Sequence, residues 1–222
     1  METETRTTQA KEPEKPAKKL IFIAHAANSA EAIKKALEAG VDFVEIDIWK
    51  APTRGELAVI HQGLAGVFGF GHKLEDVLTR DIVETDGHLY FDLKWGGDKA
   101  GYQLMKFLRQ RKYPCKPTIS STDWQTLLNL SQRQGVRPHY TISTGFDLTR
   151  FKAEIKKYGQ PPEKGISICH SLLTPREIQY FSDQGFEIFA WTVDDLKRIK
   201  ELQELGVDGI VTNNLSLSLT DR

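Results

Sequence analysis

Two short runs, Val44-Glu45-Ile46-Asp47-Ile48 and Leu89-Tyr90-Phe91-Asp92-Leu93-Lys94, constrain this chain more than anything else in it. Each has the β-branched or aromatic content of a buried strand, and each sets charged residues at alternate positions among apolar ones. In a strand, residues two apart share a face. Glu45 and Asp47 therefore point one way, and Val44, Ile46 and Ile48 point the other. Asp92 and Lys94 likewise share a face opposite Phe91 and Leu93. An unpaired buried carboxylate is too costly to keep, so three of them converging on one cavity require a cation.

The rest of the chain alternates strand and helix. Apolar runs at residues 20–24, 43–48, 89–93, 117–120, 139–142, 165–169, 187–191 and 209–212 predict strands. Between them, helical spacing predicts helices over residues 29–39, 100–111, 123–134, 148–158, 175–184 and 195–205. Thr174 and Pro175 open one of these as N-cap and N1, and Gly185 stands just past its end. Residues 57–61 predict an extra strand, reached through the turn-like Thr53-Arg54-Gly55, and residues 74–78 a short helix. With the extra strand set aside as an excursion, strands and helices alternate as in a parallel sheet, and a chain of 222 residues fits a compact (β/α)8 TIM barrel. A doubly wound sheet would want a glycine-rich phosphate turn after the first strand, where Ala26-Ala27-Asn28 stands instead.

Residues 1–19, a mixture of charge, Thr, Pro and Gln, predict a disordered leader before a single domain over residues 20–222. They have no apolar core of a signal peptide, and no run in the chain is long enough to span a membrane, so a cytoplasmic protein is expected. The 30 acidic and 30 basic residues balance, which argues against a nucleic-acid partner. Two cysteines, Cys115 and Cys169, make no disulfide framework.

In such barrels the functional groups gather at the C-terminal ends of the strands. Read in order, those ends carry His25, Glu45 with Asp47, Asp92 with Lys94, Ser120 and Ser121, His170, Trp191 and Asn213, and His61 ends the excursion. Glu45, Asp47 and Asp92 offer only hard oxygen ligands, which suit Mg²⁺ or Ca²⁺ rather than zinc or copper; the bland reading is a salt-bridge network with Lys94. Imidazole can take or give a proton near neutral pH, so His25 and His61 could serve the two sides of a metal-bound phosphate. Either ring taken singly would more often be structural. Lys94 could stabilise charge on a phosphate oxygen, or simply neutralise Asp92. Asn28, Trp191 and Asn213 are candidate substrate contacts; an N-cap, a core ring and a backbone partner are their plainer roles. His72, His88 and His139 read as structural or solvated.

These motifs together resemble the glycerophosphodiester phosphodiesterase superfamily over residues 20–216. The resemblance rests on His25 closing the first strand, Glu45-Ile46-Asp47, Val59-Ile60-His61, Asp92-Leu93-Lys94, Ser120-Ser121-Thr122-Asp123-Trp124, Trp191-Thr192-Val193-Asp194 and the final Gly206 to Asn213. The Arg-Gly that usually follows the first histidine is replaced by Ala26-Ala27, the usual His-Asp by His61-Gln62, and the usual Glu of the third strand by Asp92. Those departures, with His25-Ala26-Ala27-Asn28, Phe91-Asp92-Leu93-Lys94 and Trp191-Thr192-Val193-Asp194, lean toward the sphingomyelinase D-like phospholipase D branch. That branch's cysteine-stapled loop and extended tail are missing. The resemblance implies a metal-dependent phosphodiesterase acting on a glycerol- or lipid-linked diester. His25 would be base or nucleophile, His61 would protonate the leaving oxygen, and in the phospholipase D-like branch the product can be a cyclic phosphate.

The apolar, glycine-rich stretch from Gly63 to Gly71 is the candidate for a substrate flap or a transient membrane contact, against the plainer reading of a loop packed over the mouth. A non-catalytic barrel that binds phosphorylated ligands or a partner protein is the rival from another class, and the missing arginine favours it. A sugar-phosphate isomerase or aldolase would want a phosphate-binding glycine loop after the last strands, and Val193-Asp194-Asp195 and Asn213-Asn214-Leu215 supply none.

Overall fold

The computed structural model describes residues 19–50, 55–61, 71–84 and 88–216. In chain order the elements are β1 (Ile21–Ala24), α1 (Ala30–Glu38), β2 (Phe43–Lys50), β3 (Leu57–Val59), β4 (His72–Lys73), α2 (Leu74–Val77), α3 (Arg80–Val83), β5 (Leu89–Trp95), α4 (Gly97–Gln110), β6 (Thr118–Ser121), α5 (Trp124–Gln134), β7 (Arg137–Ile142), α6 (Gly145–Tyr158), β8 (Gly165–Cys169), α7 (Pro175–Asp183), β9 (Glu187–Trp191), α8 (Leu196–Glu204) and β10 (Gly209–Thr212). Parallel pairing runs β1-β10-β9-β8-β7-β6-β5-β2, and β1 pairs with β2 to close the circle. The expected (β/α)8 barrel is therefore observed. β3 runs antiparallel to the upper end of β2 and β4 antiparallel to β3, so the excursion hangs on the barrel's rim.

Local chemistry starts the helices where the sequence places them. Ser29 accepts from Ala32 N at 3.1 Å to cap α1, and Asp123 accepts from Thr126 N to cap α5. Thr144 and Asp147 form a capping box on α6. Thr174 caps α7, with Pro175 at its first position. Apolar stripes such as Leu104, Leu108, Leu127 and Leu130 bury the helices against the outward faces of the strands, where Val44, Ile46, Ile48, Phe91 and Leu93 lie in the same cluster. That layer is the main core.

The inward faces form a second, smaller cluster: Ile23, Tyr90, Phe189 and Val211. His139 joins it, its ring 4.3 Å from that of Phe189 and 5.5 Å from that of Tyr90, with Nε2 directed at Glu187 Oε2 at 3.1 Å. Glycine makes room for this plug. A Cβ on Gly165 would stand 2.5 Å from both His139 Cδ2 and the Pro138 carbonyl oxygen. The barrel is thus stoppered at the N-terminal ends of its strands and open at the other. Among the described residues no helix is long and apolar enough to cross a membrane.

Several boundaries differ from expectation. The excursion strand stops at Val59; Ile60 continues only through its N–H, which donates to Asp47 O at 3.3 Å. α4 starts at Gly97, a turn earlier than its apolar stripe, with Gly96 left-handed at φ 111° as its N-cap. The leader expected over residues 1–19 lies, but for Lys19, outside the described residues, as do residues 51–54 and, but for Gly71, the stretch from Gly63 to Gly71.

Candidate active site

Each predicted site residue sits at the open end of the barrel. Glu45 and Asp47 face inward from β2, Asp92 and Lys94 from β5, and the chain after β1 bends across them. Ala26, left-handed at φ 53°, donates its N–H to Glu45 Oε2 at 2.6 Å. Ala27 N–H donates to the Glu45 carbonyl. Asn28 then clasps Asp47 with both ends of its amide: Nδ2 donates to Asp47 Oδ2 at 2.7 Å, and Oδ1 accepts from Asp47 N at 2.9 Å. The segment His25-Ala26-Ala27-Asn28 is in this way sewn to the strand that carries the acids.

Glu45, Asp47 and Asp92 each bring a carboxylate oxygen within 4.8 Å of the others. Asp47 is fully buried and Glu45 nearly so. Burial, then the charges of Asp47 and Asp92, push the Glu45 carboxyl well above the usual carboxylate range. Lys94 is held between Asp92 and Asp47, 2.9 Å from Asp47 Oδ1. Burial opposes its charge, but Asp92, Asp47 and Glu45 outweigh that and raise its pKa. Ser120 Oγ donates to Asp92 Oδ1 at 2.8 Å and fixes that carboxylate. Two observations suit the cluster to a hard cation. Its donors are all carboxylate oxygens, and Asp47 Oδ1 is buried without a hydrogen bond among the described residues, since Lys94 approaches it without hydrogen-bond angles.

The two histidines flank this cluster, their rings 4.9 Å apart and nearly perpendicular at 86°. His61 Nδ1 donates to Asp47 Oδ2 at 2.8 Å. His25 Nδ1 lies 2.9 Å from Asn213 Oδ1. Asn213 in turn is oriented by Asp194, which accepts from Asn213 Nδ2 at 2.8 Å, from Asn213 N at 2.7 Å and from Thr212 Oγ1 at 2.8 Å. These bonds hold the Asp194 carboxyl below its usual range against the opposing effect of its burial. A carboxylate only accepts, so Asn213 must turn its NH₂ toward Asp194 and its oxygen toward His25. His25 Nδ1 therefore carries the proton and Nε2 the lone pair.

Between these groups lies a cavity of about 270 Å³ bordered by His25, Glu45, His61, Asp92, Lys94 and Trp191. Asn28 and Asn213, expected as substrate contacts, hydrogen-bond to Asp47 and to His25 with Asp194, respectively. Asp194, which orients Asn213, is a member of this network that sequence reading passed over, although Trp191-Thr192-Val193-Asp194 marks its place. The inward hydroxyls of β7 and β8, Thr141 and Ser167, also border the cavity; polar residues alternating with apolar ones along those strands were the signal for them. A larger groove of about 840 Å³ opens on the outer surface between α5 and α6, away from all these groups.

Residues 88–217 match the Glycerophosphoryl diester phosphodiesterase family. The chain is 21% identical over 224 positions to a glycerophosphodiester phosphodiesterase of Caldanaerobacter subterraneus subsp. tengcongensis, an alignment that covers 84% of this chain and 88% of that protein. The fold matches the crystal structure of a glycerophosphodiester phosphodiesterase from Thermotoga maritima with a TM-score of 0.69 at 19% identity, over 92% of this chain and 99% of that one. It also matches an Oleispira antarctica phosphodiesterase, solved in complex with the product sn-glycerol-3-phosphate, with a TM-score of 0.72 at 13% identity, over 91% and 96% of the two chains.

Proposed function

The chain belongs to the glycerophosphoryl diester phosphodiesterase family and is a phosphoric diester hydrolase; from that premise we propose that it cleaves glycerol- or lipid-linked diesters with His25 and His61 as proton carriers. The observation that supports this most directly is the pair of rings meeting at 4.9 Å beside three converging carboxylates. Their partners divide the roles. Asp47 offers His61 a counter-charge, so the ring can carry the proton that the leaving oxygen needs. The neutral amide of Asn213 offers His25 none and leaves its Nε2 lone pair free, which suits a base or nucleophile. His25 takes the proton from the attacking oxygen as the new P–O bond forms, and His61 gives one to the departing oxygen as the old bond breaks. Lys94 offsets charge growing on the phosphate oxygens. Glu45, Asp47 and Asp92 would hold Mg²⁺ or Ca²⁺, and the ion when bound would supply further electrostatic stabilisation of that charge.

His25-Ala26-Ala27-Asn28, Phe91-Asp92-Leu93-Lys94 and Trp191-Thr192-Val193-Asp194 support a phospholipase D-like member, in which a hydroxyl of the substrate itself attacks phosphorus and leaves a cyclic phosphate. Phe146, near the start of α6, and Leu196, at the start of α8, are exposed apolar side chains that would serve a transient membrane contact.

Phosphorus NMR with glycerophosphocholine, lysophosphatidylcholine and sphingomyelin, each with Mg²⁺ and with Ca²⁺, tests the reading. We expect turnover of at least one diester, its loss in chelator, and its abolition in His25→Ala and Asp47→Ala variants that keep the wild-type circular dichroism. Full activity in chelator or in either variant would sink the mechanism. An open or cyclic phosphate signal decides the outcome at phosphorus.

A further inference from the structure

Helices α4 to α8 run back from the open end of the barrel, so their C-termini lie at the closed end, beside the start of the next strand. The charges there are sorted by sign. Residues 106–116, which end α4 and lead into β6, carry Lys106, Arg109, Arg111, Lys112 and Lys116 and no acid. Arg133 lies in the last turn of α5, Arg137 opens β7, and Lys156 and Lys157 lie in the last turn of α6. These segments adjoin: Arg109 donates to Gln134 Oε1, and Arg137 N–H donates to the Pro117 carbonyl at 2.8 Å. On the next arc, under α7 and α8, the sign reverses. Residues 181–187 carry Asp183 and Glu187 and no base, and residues 201–208 carry Glu201, Glu204 and Asp208 and no base. Some of these charges are answered locally, Lys116 by Glu163, Glu187 by His139 and Glu201 by Arg198. Lys112, Arg133, Lys156, Lys157, Asp183 and Glu204 are exposed and have no ion pair among the described residues.

Cations at helix C-termini suit the helix dipole, and that by itself accounts for the basic arc. The acids run against it. α7 and α8 have no base in their last turns and end on Asp183 and on Glu201 and Glu204, a placement that costs those helices stability. Acids kept where their own helices disfavour them, beside an arc of exposed cations, point to a partner that bears both signs. A polyanion would suit one arc and be repelled by the other. A second copy of this chain suits both. Turned over about a two-fold axis that lies along the border of the arcs, one closed end sets its basic arc on the acidic arc of the other, and the contact repeats by symmetry. Tyr158, 73% exposed at the end of α6, offers an aromatic anchor beside the cations. We propose that the chain forms a two-fold dimer through its closed ends, held by these reciprocal charges, with the two open mouths facing away from each other and free for substrate. Neither the histidines nor the diesterase reading enters this inference.

Sedimentation equilibrium of the full chain is the test. A dimer is expected in about 0.05 M salt, and its Kd should rise about tenfold or more in about 0.5 M salt, because screening acts on exposed charges. One variant reverses the basic arc, with Lys112→Glu, Arg133→Glu, Lys156→Glu and Lys157→Glu. A second reverses the acidic arc, with Asp183→Lys and Glu204→Lys. Each alone should lose the dimer, its Kd raised about 100-fold or more. Mixed, the two should pair about tenfold more tightly than either does with itself, since the new acids of one meet the new bases of the other. The lysines agree with the helix dipole, so the second variant keeps its fold and reads the contact even if the first does not; circular dichroism checks both. A monomeric wild type, a dimer indifferent to the lysine variant, or two folded variants that ignore each other on mixing would overturn the proposal. So would a monomer that phosphatidylglycerol vesicles capture through the basic arc, which would assign that arc to an anionic surface.

Discussion

Asp194 never reaches the cavity, yet it decides which nitrogen of His25 does. The chain of contacts is short: Asp194 fixes the orientation of the Asn213 amide, and Asn213 Oδ1 fixes the proton of His25 on Nδ1. Asp194→Asn would replace an acceptor-only carboxylate by an amide that can present either end, and Asn213 would lose its reason to face one way. The expected result is a fall in kcat of about 10- to 100-fold with little change in KM, as for loss of an outer partner that orients a reacting group. Nitrogen NMR of His25 should show the proton shared between Nδ1 and Nε2. Unchanged kcat, or a KM effect alone, would remove Asp194 from the mechanism. Asn28 does the corresponding work on the other side by gripping Asp47. Both asparagines could be read from sequence as polar residues at strand ends. The direction of their side chains could not, because it depends on Asp47 and Asp194 arriving from other strands.

At the scale of elements, the strands that carry charge were the most legible. Alternating acid and apolar residues fix the inward face of β2 and β5 without any knowledge of neighbours, and the observed pairing Asp47↔Asp92 sets the carboxylates side by side. What escaped prediction had no such pattern. β4 is two exposed residues that form a strand only because β3 offers them an edge. α3 is a single turn, too short for periodicity to show. The first turn of α4 begins Gly96-Gly97, where propensity alone argues against helix. Gly165 illustrates the same limit at a packing contact: its role is to let β8 pass the His139 ring and the Pro138 carbonyl. Gly165→Ala puts a methyl into both, and the carbonyl cannot swing aside as a flexible side chain could. We expect a loss of about 1–3 kcal/mol, read as a lower urea midpoint at unchanged slope. A midpoint equal to the wild type would show that the strand has slack there.

The whole barrel sets two environments end to end, and its response to acid should report the closed one. His139 is fully buried in the inward plug between Tyr90 and Phe189. Burial lowers its pKa below the ordinary value of 6.5, although Glu187 at 3.1 Å pulls the other way. The folded ring therefore resists a proton that the unfolded chain accepts. Above 6.5 neither state binds it and His139 leaves stability unaffected. As pH falls through 6.5 the unfolded chain takes up a proton and the folded one does not, so unfolding becomes easier. The loss grows until the folded ring also titrates, and is constant below that. His139→Gln removes the titration while leaving a neutral side chain that can still donate to Glu187. Urea unfolding of both proteins between pH 8 and pH 5 separates this effect from the carboxylates at the mouth, which the two share. The wild type should lose stability relative to the variant only below about pH 7, the onset set by the ordinary pKa of the unfolded histidine. Parallel profiles would mean that Glu187 compensates the burial in full, and a wild type that gains on acidification would mean that the ring is charged inside the plug.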